Sequence, residues 1–223
     1  MAAHAGAVPA AARLRITETF HSLQGEAESV GWPTFFIRLT GCPLRCHYCD
    51  TAYAFQGGEW RSVDSLVVEA SASGARHVCV TGGEPLAQKS CLTLLTALCD
   101  TGFAVSLETS GAIDASPVDS RVARVIDVKT PASGESHRNL DPAVHRPRPG
   151  DQFKFVICDR ADYEWSRDYL KAGQFDRRCA VLFSPSHDQL PAAQLADWIL
   201  ADRLPVRFQV QLHKYLWGNT PGR

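Results

Sequence analysis

The chain has 223 residues, 45% of them hydrophobic and 21% charged, enough to bury one sizeable core and not two. Lys+Arg 23 against Asp+Glu 24 leave a net charge of −1, so no overall basic field points to nucleic acid or an anionic membrane. No apolar run approaches the roughly 18–20 residues of a membrane span, which with this composition excludes membrane, collagenous and disordered classes.

Residues 1–13 read as a loose Ala-rich tail, and their stretch has neither the basic start nor the Leu-rich middle of a secretory signal. A single domain over residues 14–223 in the cytoplasm is the expectation. Thr34–Thr40 reads as the first strand, with a cluster of cysteines directly after it. Ser62–Ala72 places Val63, Leu66, Val67 and Ala70 at helical spacing, with Ser62 as N-cap. His77–Val80 is a second short strand, and Gln88–Cys99 is helical. Phe103–Glu108 and Arg124–Val128 are the third and fourth strands. Pro131–Gly150 carries four prolines and several charges and reads as a long surface loop. Phe153–Cys158 is a fifth strand, a helix follows over Asp162–Ala172, and Ala180–Phe183 is the sixth strand. Leu190–Ala201 is helical and Val206–Leu212 closes the chain as a last strand.

Strands alternating with helices predict an α/β fold with a mostly parallel sheet, whose chemistry sits at the carboxyl ends of the strands. The unusual residues fall there. They are the cysteines after the first strand, Thr81-Gly82-Gly83-Glu84 after the second and Glu108-Thr109-Ser110-Gly111 after the third. Lys129 follows the fourth strand, and Ser184-Pro185 the sixth. Six such strands fall short of a full eight-unit barrel, so a partial β/α barrel is predicted.

The chain has eight cysteines. Cys79, Cys91, Cys99, Cys158 and Cys179 sit in apolar segments and read as buried thiols. Cys42, Cys46 and Cys49 form C-x3-C-x2-C in the run Gly41-Cys42-Pro43-Leu44-Arg45-Cys46-His47-Tyr48-Cys49-Asp50. Three thiolates on one loop suit iron–sulfur or zinc chemistry, and incidental thiols are the bland alternative. Structural zinc wants four protein ligands, and His47, wedged between two cysteines, is poorly placed to be the fourth. A cubane held by three cysteines leaves one iron open for chemistry.

The C-x3-C-x2-C spacing after a strand, followed by Gly82-Gly83-Glu84-Pro85 after the next, resembles the radical S-adenosylmethionine (SAM) enzymes. Within them, Phe20-His21-Ser22-Leu23-Gln24-Gly25-Glu26 and Thr34-Phe35-Phe36-Ile37-Arg38-Leu39 resemble the 7-carboxy-7-deazaguanine synthase family of queuosine and deazapurine biosynthesis. Cys49-Asp50-Thr51, Leu107-Glu108-Thr109-Ser110-Gly111, Asp127-Val128-Lys129, Ser184-Pro185 and Gln211-Leu212-His213-Lys214 extend the likeness from about residue 14 to the end.

The resemblance implies a 4Fe–4S cluster on Cys42, Cys46 and Cys49 that cleaves SAM to a 5′-deoxyadenosyl radical. The radical would drive ring contraction of 6-carboxy-5,6,7,8-tetrahydropterin to 7-carboxy-7-deazaguanine and ammonia, with SAM regenerated. It implies a magnesium ion on Thr51, whose bland reading is a helix N-cap hydroxyl. For SAM it points to Tyr48, Cys49, Asp50, Gly83, Ser110, Asp127, Val128, Lys129, Ser184, Pro185, Ser186 and His187. For substrate it points to Leu23, Gln24, Gly25, Arg38 and Thr81. Where some relatives carry Ser-Pro-Lys, this chain has Asp127-Val128-Lys129. His213 and Lys214, taken to close a strand, are further pocket candidates. A flavodoxin-type reductant and a homodimer are implied; nucleic acid and membranes are not. The alternatives are another small radical SAM enzyme, such as a glycyl-radical activase, and a non-catalytic cluster or zinc module. The set Gln24, Arg38 and Thr81 suits a small anion rather than a protein partner.

Overall fold

Alternating burial along Arg13–Ile16 and a fully apolar Phe35–Ile37 start the sheet from its antiparallel side. In the computed structural model, residues 12–172, 175, 179–220 and 222 are described. The strands are β1 (Arg13–Leu23), β2 (Pro33–Leu39), β3 (Glu59–Ser62), β4 (His77–Gly82) and β5 (Ala104–Ser110). They continue with β6 (Ala123–Asp127), β7 (Gln152–Ile157), β8 (Ala180–Pro185) and β9 (Arg207–Phe208). They form one sheet in the order β3-β1-β2-β4-β5-β6-β7-β8-β9. β1 pairs antiparallel with both β2 and β3, and every pairing from β2 to β9 is parallel. The sheet is not closed, as the partial-barrel reading expects.

The helices are α1 (Val63–Ala72), α2 (Cys91–Asp100), α3 (Arg160–Lys171), α4 (Ala192–Asp202) and α5 (Leu212–Trp217). Ser62 caps α1 by accepting from the Ser65 amide, and Asp159 caps α3 by accepting from the Asp162 amide. Parallel strands covered by helices read as apolar runs because both faces are buried. Ile37, Val78, Val80, Leu107, Ile126, Phe153, Phe155 and Phe183 accordingly pack with Leu66, Leu94, Leu98 and Leu195 of the helices. No helix among the described residues is long and apolar enough to cross a membrane.

Several expectations need correction. Thr34–Thr40 is the second strand: β1 precedes it, and its polar stretch Thr17–Ser22 hid the strand pattern. Arg13, placed in the tail, begins β1; residues 1–11 of that tail lie outside the described residues. The helix expected from Gln88 starts at Cys91, because the Gln88 side chain is bonded to the backbone of Arg15 and Thr40. The last strand shrinks to Arg207–Phe208, and His213 and Lys214 lie on α5. There, Gln209 and Gln211 turn their side chains to Ala27 and Glu26 across the sheet's open side. Pro131–Gly150 is no simple surface loop. It folds into three 3₁₀ turns that bury Ser133, Pro142 and His145. Of the five thiols read as buried, Cys158 is partly exposed.

The last of those turns is anchored by Arg124, a guanidinium with no exposed surface. It is paired through two nitrogens with Asp151 and donates to the carbonyls of Ala115, His145 and Arg146. Removing one partner of a buried pair leaves an uncompensated charge. Arg124→Met is expected to cost about 3–5 kcal/mol of stability in urea unfolding; a loss within the range of a surface substitution would show that the pair carries no such weight.

Candidate active site

The carboxyl ends of β2, β4, β5, β6 and β7 open into one cavity of about 490 Å³. The cysteine loop forms one wall, with Cys42, Cys46 and Cys49 all lining the space. Gly41 enters the loop at φ +97°, and its amide donates to the carbonyl of Ala54. Leu44 is buried beneath, and the Arg45 guanidinium donates to the carbonyls of Cys42 and Leu44 at 2.7 and 2.6 Å. Burial pushes all three thiols up, Cys46 to about 11. Bound metal would draw them into the thiolate form that ligates iron.

The second wall is the turn Gly82-Gly83-Glu84. A Cβ on Gly83 would lie 2.3 Å from the Gly41 oxygen and 2.8 Å from Cys42 Cβ. A Cβ on Gly82, at φ +152°, would lie 2.3 Å from the Leu39 oxygen. The turn thus presses its backbone on the cysteine loop, and the Glu84 amide donates to the Gly41 carbonyl at 2.8 Å. Glu84 itself has no exposed surface. Its carboxylate accepts from the hydroxyls of Thr109 and Ser110 and the amides of Ser110 and Leu86.

Charged groups cross the floor. Lys154, from the middle of β7, donates to Glu26 at 2.6 Å and lies 3.5 Å from Asp127, which Lys129 approaches at 3.2 Å. Burial opposes the Lys154 charge, but Glu26 and Asp127 outweigh it and hold its pKa well above the ordinary value. Burial opposes Glu26 as well, yet Lys154 keeps it below the usual carboxylate range. Glu108 is different. Its burial is only partly offset by Lys154, so its carboxyl is pushed up, and Gln24 donates to it at 3.3 Å. On the far side Arg38 binds Glu18 through Nε at 2.7 Å and faces the rings of Phe20 and Tyr53.

Of the residues singled out from sequence, Leu23, Gln24, Gly25, Arg38, Tyr48, Asp50, Thr51, Thr81, Gly83, Ser110, Asp127, Lys129, Ser186 and His187 share this cavity with the three cysteines. Val128 and Ser184 are buried away from it, and Pro185 lines a neighbouring hollow. The Ser110 hydroxyl is already committed to Glu84. Thr51 precedes a 3₁₀ turn that it does not cap; its hydroxyl donates to Asp50 at 2.8 Å. Asp50 in turn lies 3.4 Å from Lys214. His213 lines the cavity, packed so closely on Gly25 that a Cβ there would meet its ring at 2.1 Å. The sequence expectations give no role to Glu26 or Lys154, and place Glu108 only among the strand-end residues. A lysine inside the apolar run of β7 was the signal available.

The donors suit three groups. Among the described residues no three His, Cys, Asp or Glu side chains gather tightly enough for a single metal ion. The three thiols of the loop suit a cluster in which each of three irons takes one thiolate. Tyr48 Oη and Asp127 Oδ1 are buried without a partner among the described residues, hydrogen-bonding positions that a polar ligand such as SAM can fill. Asp50 and Thr51 offer oxygen donors of the kind magnesium takes.

The Radical SAM superfamily matches residues 36–155. A protein of Chlorobaculum tepidum named 7-carboxy-7-deazaguanine synthase is 43% identical over 211 residues, covering 93% of this chain and 96% of its own. One of Koribacter versatilis with the same name is 40% identical over 224 residues, covering 92% and 97%. The crystal structure of QueE from Escherichia coli superposes with a TM-score of 0.76 at 26% identity, covering 90% of this chain and 95% of that one. Streptococcus suis SuiB, at 13% identity and a TM-score of 0.55 over 77% of this chain and 46% of its own, shares the fold alone.

The Gly83 contact yields a test. Gly83→Ala is expected to displace Gly41 and Cys42 and to leave the purified, reconstituted protein with little iron, like Cys46→Ala. Iron analysis and the visible absorption of the cluster read this out; a full cluster in Gly83→Ala would refute the close-contact argument.

Proposed function

Because the chain belongs to the 7-carboxy-7-deazaguanine synthase family of radical SAM enzymes, we propose that it contracts 6-carboxy-5,6,7,8-tetrahydropterin to 7-carboxy-7-deazaguanine with release of ammonia. The observation that carries the reading is a single cavity lined at once by three thiols and by Arg38, Gln24, Thr81 and Glu108. When bound, the cluster and SAM would supply radical chemistry beside the pterin, with Cys42, Cys46 and Cys49 holding the cluster.

The chain's own residues hold the ligands. Cys42, Cys46 and Cys49 carry the cluster. Gly83 offers backbone, and Tyr48 Oη and Asp127 Oδ1 offer the unpaired polar atoms, for SAM. The Arg38 guanidinium has only Nε engaged among the described residues, so its outer nitrogens are left for the substrate carboxylate. Gln24, Thr81 and the backbone of Leu23 and Gly25 face the pterin. Glu108 suits the donor-rich pyrimidine edge, because a carboxyl pairs with adjacent N–H groups in a fork. Thr51, with Asp50 beside it, would hold magnesium through oxygen donors, and the ion would supply positive charge for the substrate carboxylate. A flavodoxin-type reductant, a homodimer and a cytoplasmic location complete the proposal on the strength of the family likeness.

The test is anaerobic turnover with SAM, a strong reductant, magnesium and 6-carboxytetrahydropterin. Formation of a deazapurine with catalytic SAM is expected. SAM cleavage without pterin turnover would remove the substrate, and a protein that never cleaves SAM would remove the mechanism. Thr51→Ala is expected to keep the cluster and to lose most of the magnesium stimulation; an unchanged magnesium titration would refute that role. Arg38→Met is expected to raise KM for the pterin by about tenfold or more, the scale of a lost charge-assisted pair; an unchanged KM would remove Arg38 from substrate binding.

A further inference from the structure

Asp162 is a buried carboxylate that none of the proposed chemistry uses. It sits in the first turn of α3 with 1% of its surface exposed. Its oxygens accept from the Thr130 hydroxyl at 2.9 Å, the Ala132 amide at 2.9 Å and the Cys158 amide at 3.1 Å. Two of these donors belong to the segment 130–135, which a short 3₁₀ turn over Pro131–Ser133 folds back on itself. Ser133, fully buried, donates to the Thr130 carbonyl at 2.6 Å and accepts from the Glu135 amide at 3.0 Å.

That turn grips the cysteine loop on both sides of Cys46. The His47 amide donates to the Ser133 carbonyl at 3.0 Å, and His47 Nδ1 lies 3.2 Å from the Ala132 carbonyl. The Arg45 amide donates to Glu135 Oε1 at 2.6 Å. Gly134, at φ +77°, packs so closely that a Cβ there would lie 2.9 Å from the His47 ring. The loop is therefore held at two points. The Glu84 turn fixes the Cys42 end from β4, and the 130–135 turn fixes the Cys46 end from α3.

We propose that Asp162 is a positioning residue for the cluster: through the 130–135 turn it fixes Cys46 relative to Cys42 and Cys49. It acts by hydrogen bonds to neutral donors, which a buried carboxylate makes strongly. The inference concerns the loop that carries the cluster and holds whatever the substrate.

The test compares the wild-type chain with Asp162→Ala and Asp162→Asn by amide hydrogen exchange of the cluster-free protein, then by the reconstituted cluster. In Asp162→Ala the amides of Arg45 and His47 are expected to exchange about tenfold or more faster, with β4 and β5 unchanged. Asp162→Asn, which keeps one acceptor oxygen, falls between. Loss of the cluster to a chelator is expected to run about tenfold or more faster, the scale of outer-shell changes at metal sites. The EPR line shape of the reduced cluster is expected to shift, which a merely structural loss would not do, since that lowers the amount of signal and leaves its shape. Unchanged exchange at Arg45 and His47, exchange raised equally across the sheet, or a wild-type line shape overturns the proposal. Should Asp162→Ala fail to fold, Glu135→Ala removes the Arg45 contact alone. It must then speed exchange at Arg45; no change there likewise overturns the proposal.

Discussion

The site depends on a buried carboxylate in a backbone turn. Glu84 accepts four hydrogen bonds from Thr109, Ser110 and Leu86 while its own amide donates to Gly41. A carboxylate taken out of water without partners costs several kcal/mol, so such a group is stable only where its donors are fixed. The consequence is mutual. Glu84 ties the end of β4 to the end of β5, and the two glycines before it let the backbone lie on the cysteine loop. Any side chain at Gly82 or Gly83 would occupy space already held by Leu39, Gly41 or Cys42. Strand spacing in the sheet is thereby converted into the position of Cys42.

Fixed charges do comparable work on the cavity floor. Lys154 and Lys129 are each paired with a protein carboxylate, so the ammonium groups are oriented before any ligand arrives. Desolvation has been met by folding rather than by binding, the condition under which charges act without reorganising. Glu26 extends the same network to Gln211 and hence to the C-terminal segment. The loop after β1 and the last turns of the chain meet over the sheet's open side, where Leu212 donates its amide to Gly25. An incomplete barrel is closed there by side chains and single backbone bonds instead of by a strand.

Much of this was legible in the residues, for identifiable reasons. Parallel strands between helices carry apolar runs, so β4, β5, β6, β7 and β8 stood out to within a few residues. Three cysteines at fixed spacing and a double glycine at a strand's end are local signals, and the fold brings both to one cavity. β1 was missed because Thr17, Glu18, Thr19 and His21 break the apolar pattern, in the stretch from which Glu18 pairs with Arg38 and Phe20 lines the cavity. The alternation of Val206, Phe208 and Val210 predicts a longer final strand, whereas the side chains of Gln209 and Gln211 are claimed by Ala27 and Glu26. Pairings across long separations, such as Lys154 with Glu26 or Arg124 with Asp151, leave no trace in a local pattern. They exist only once the sheet order is known.

Composition alone makes the segment Pro131–Gly150 read as a surface loop. Its prolines and charges are those of exposed connections, and three 3₁₀ turns do replace regular structure there. What composition conceals is that the segment is held at both ends by buried charge, Asp162 near the cavity and Arg124 at the opposite end of β6. A connection secured in this way can position something else. Here it reaches the loop with the three thiols, whose amino-acid spacing sets which chemistry is possible and whose neighbours set where that chemistry occurs.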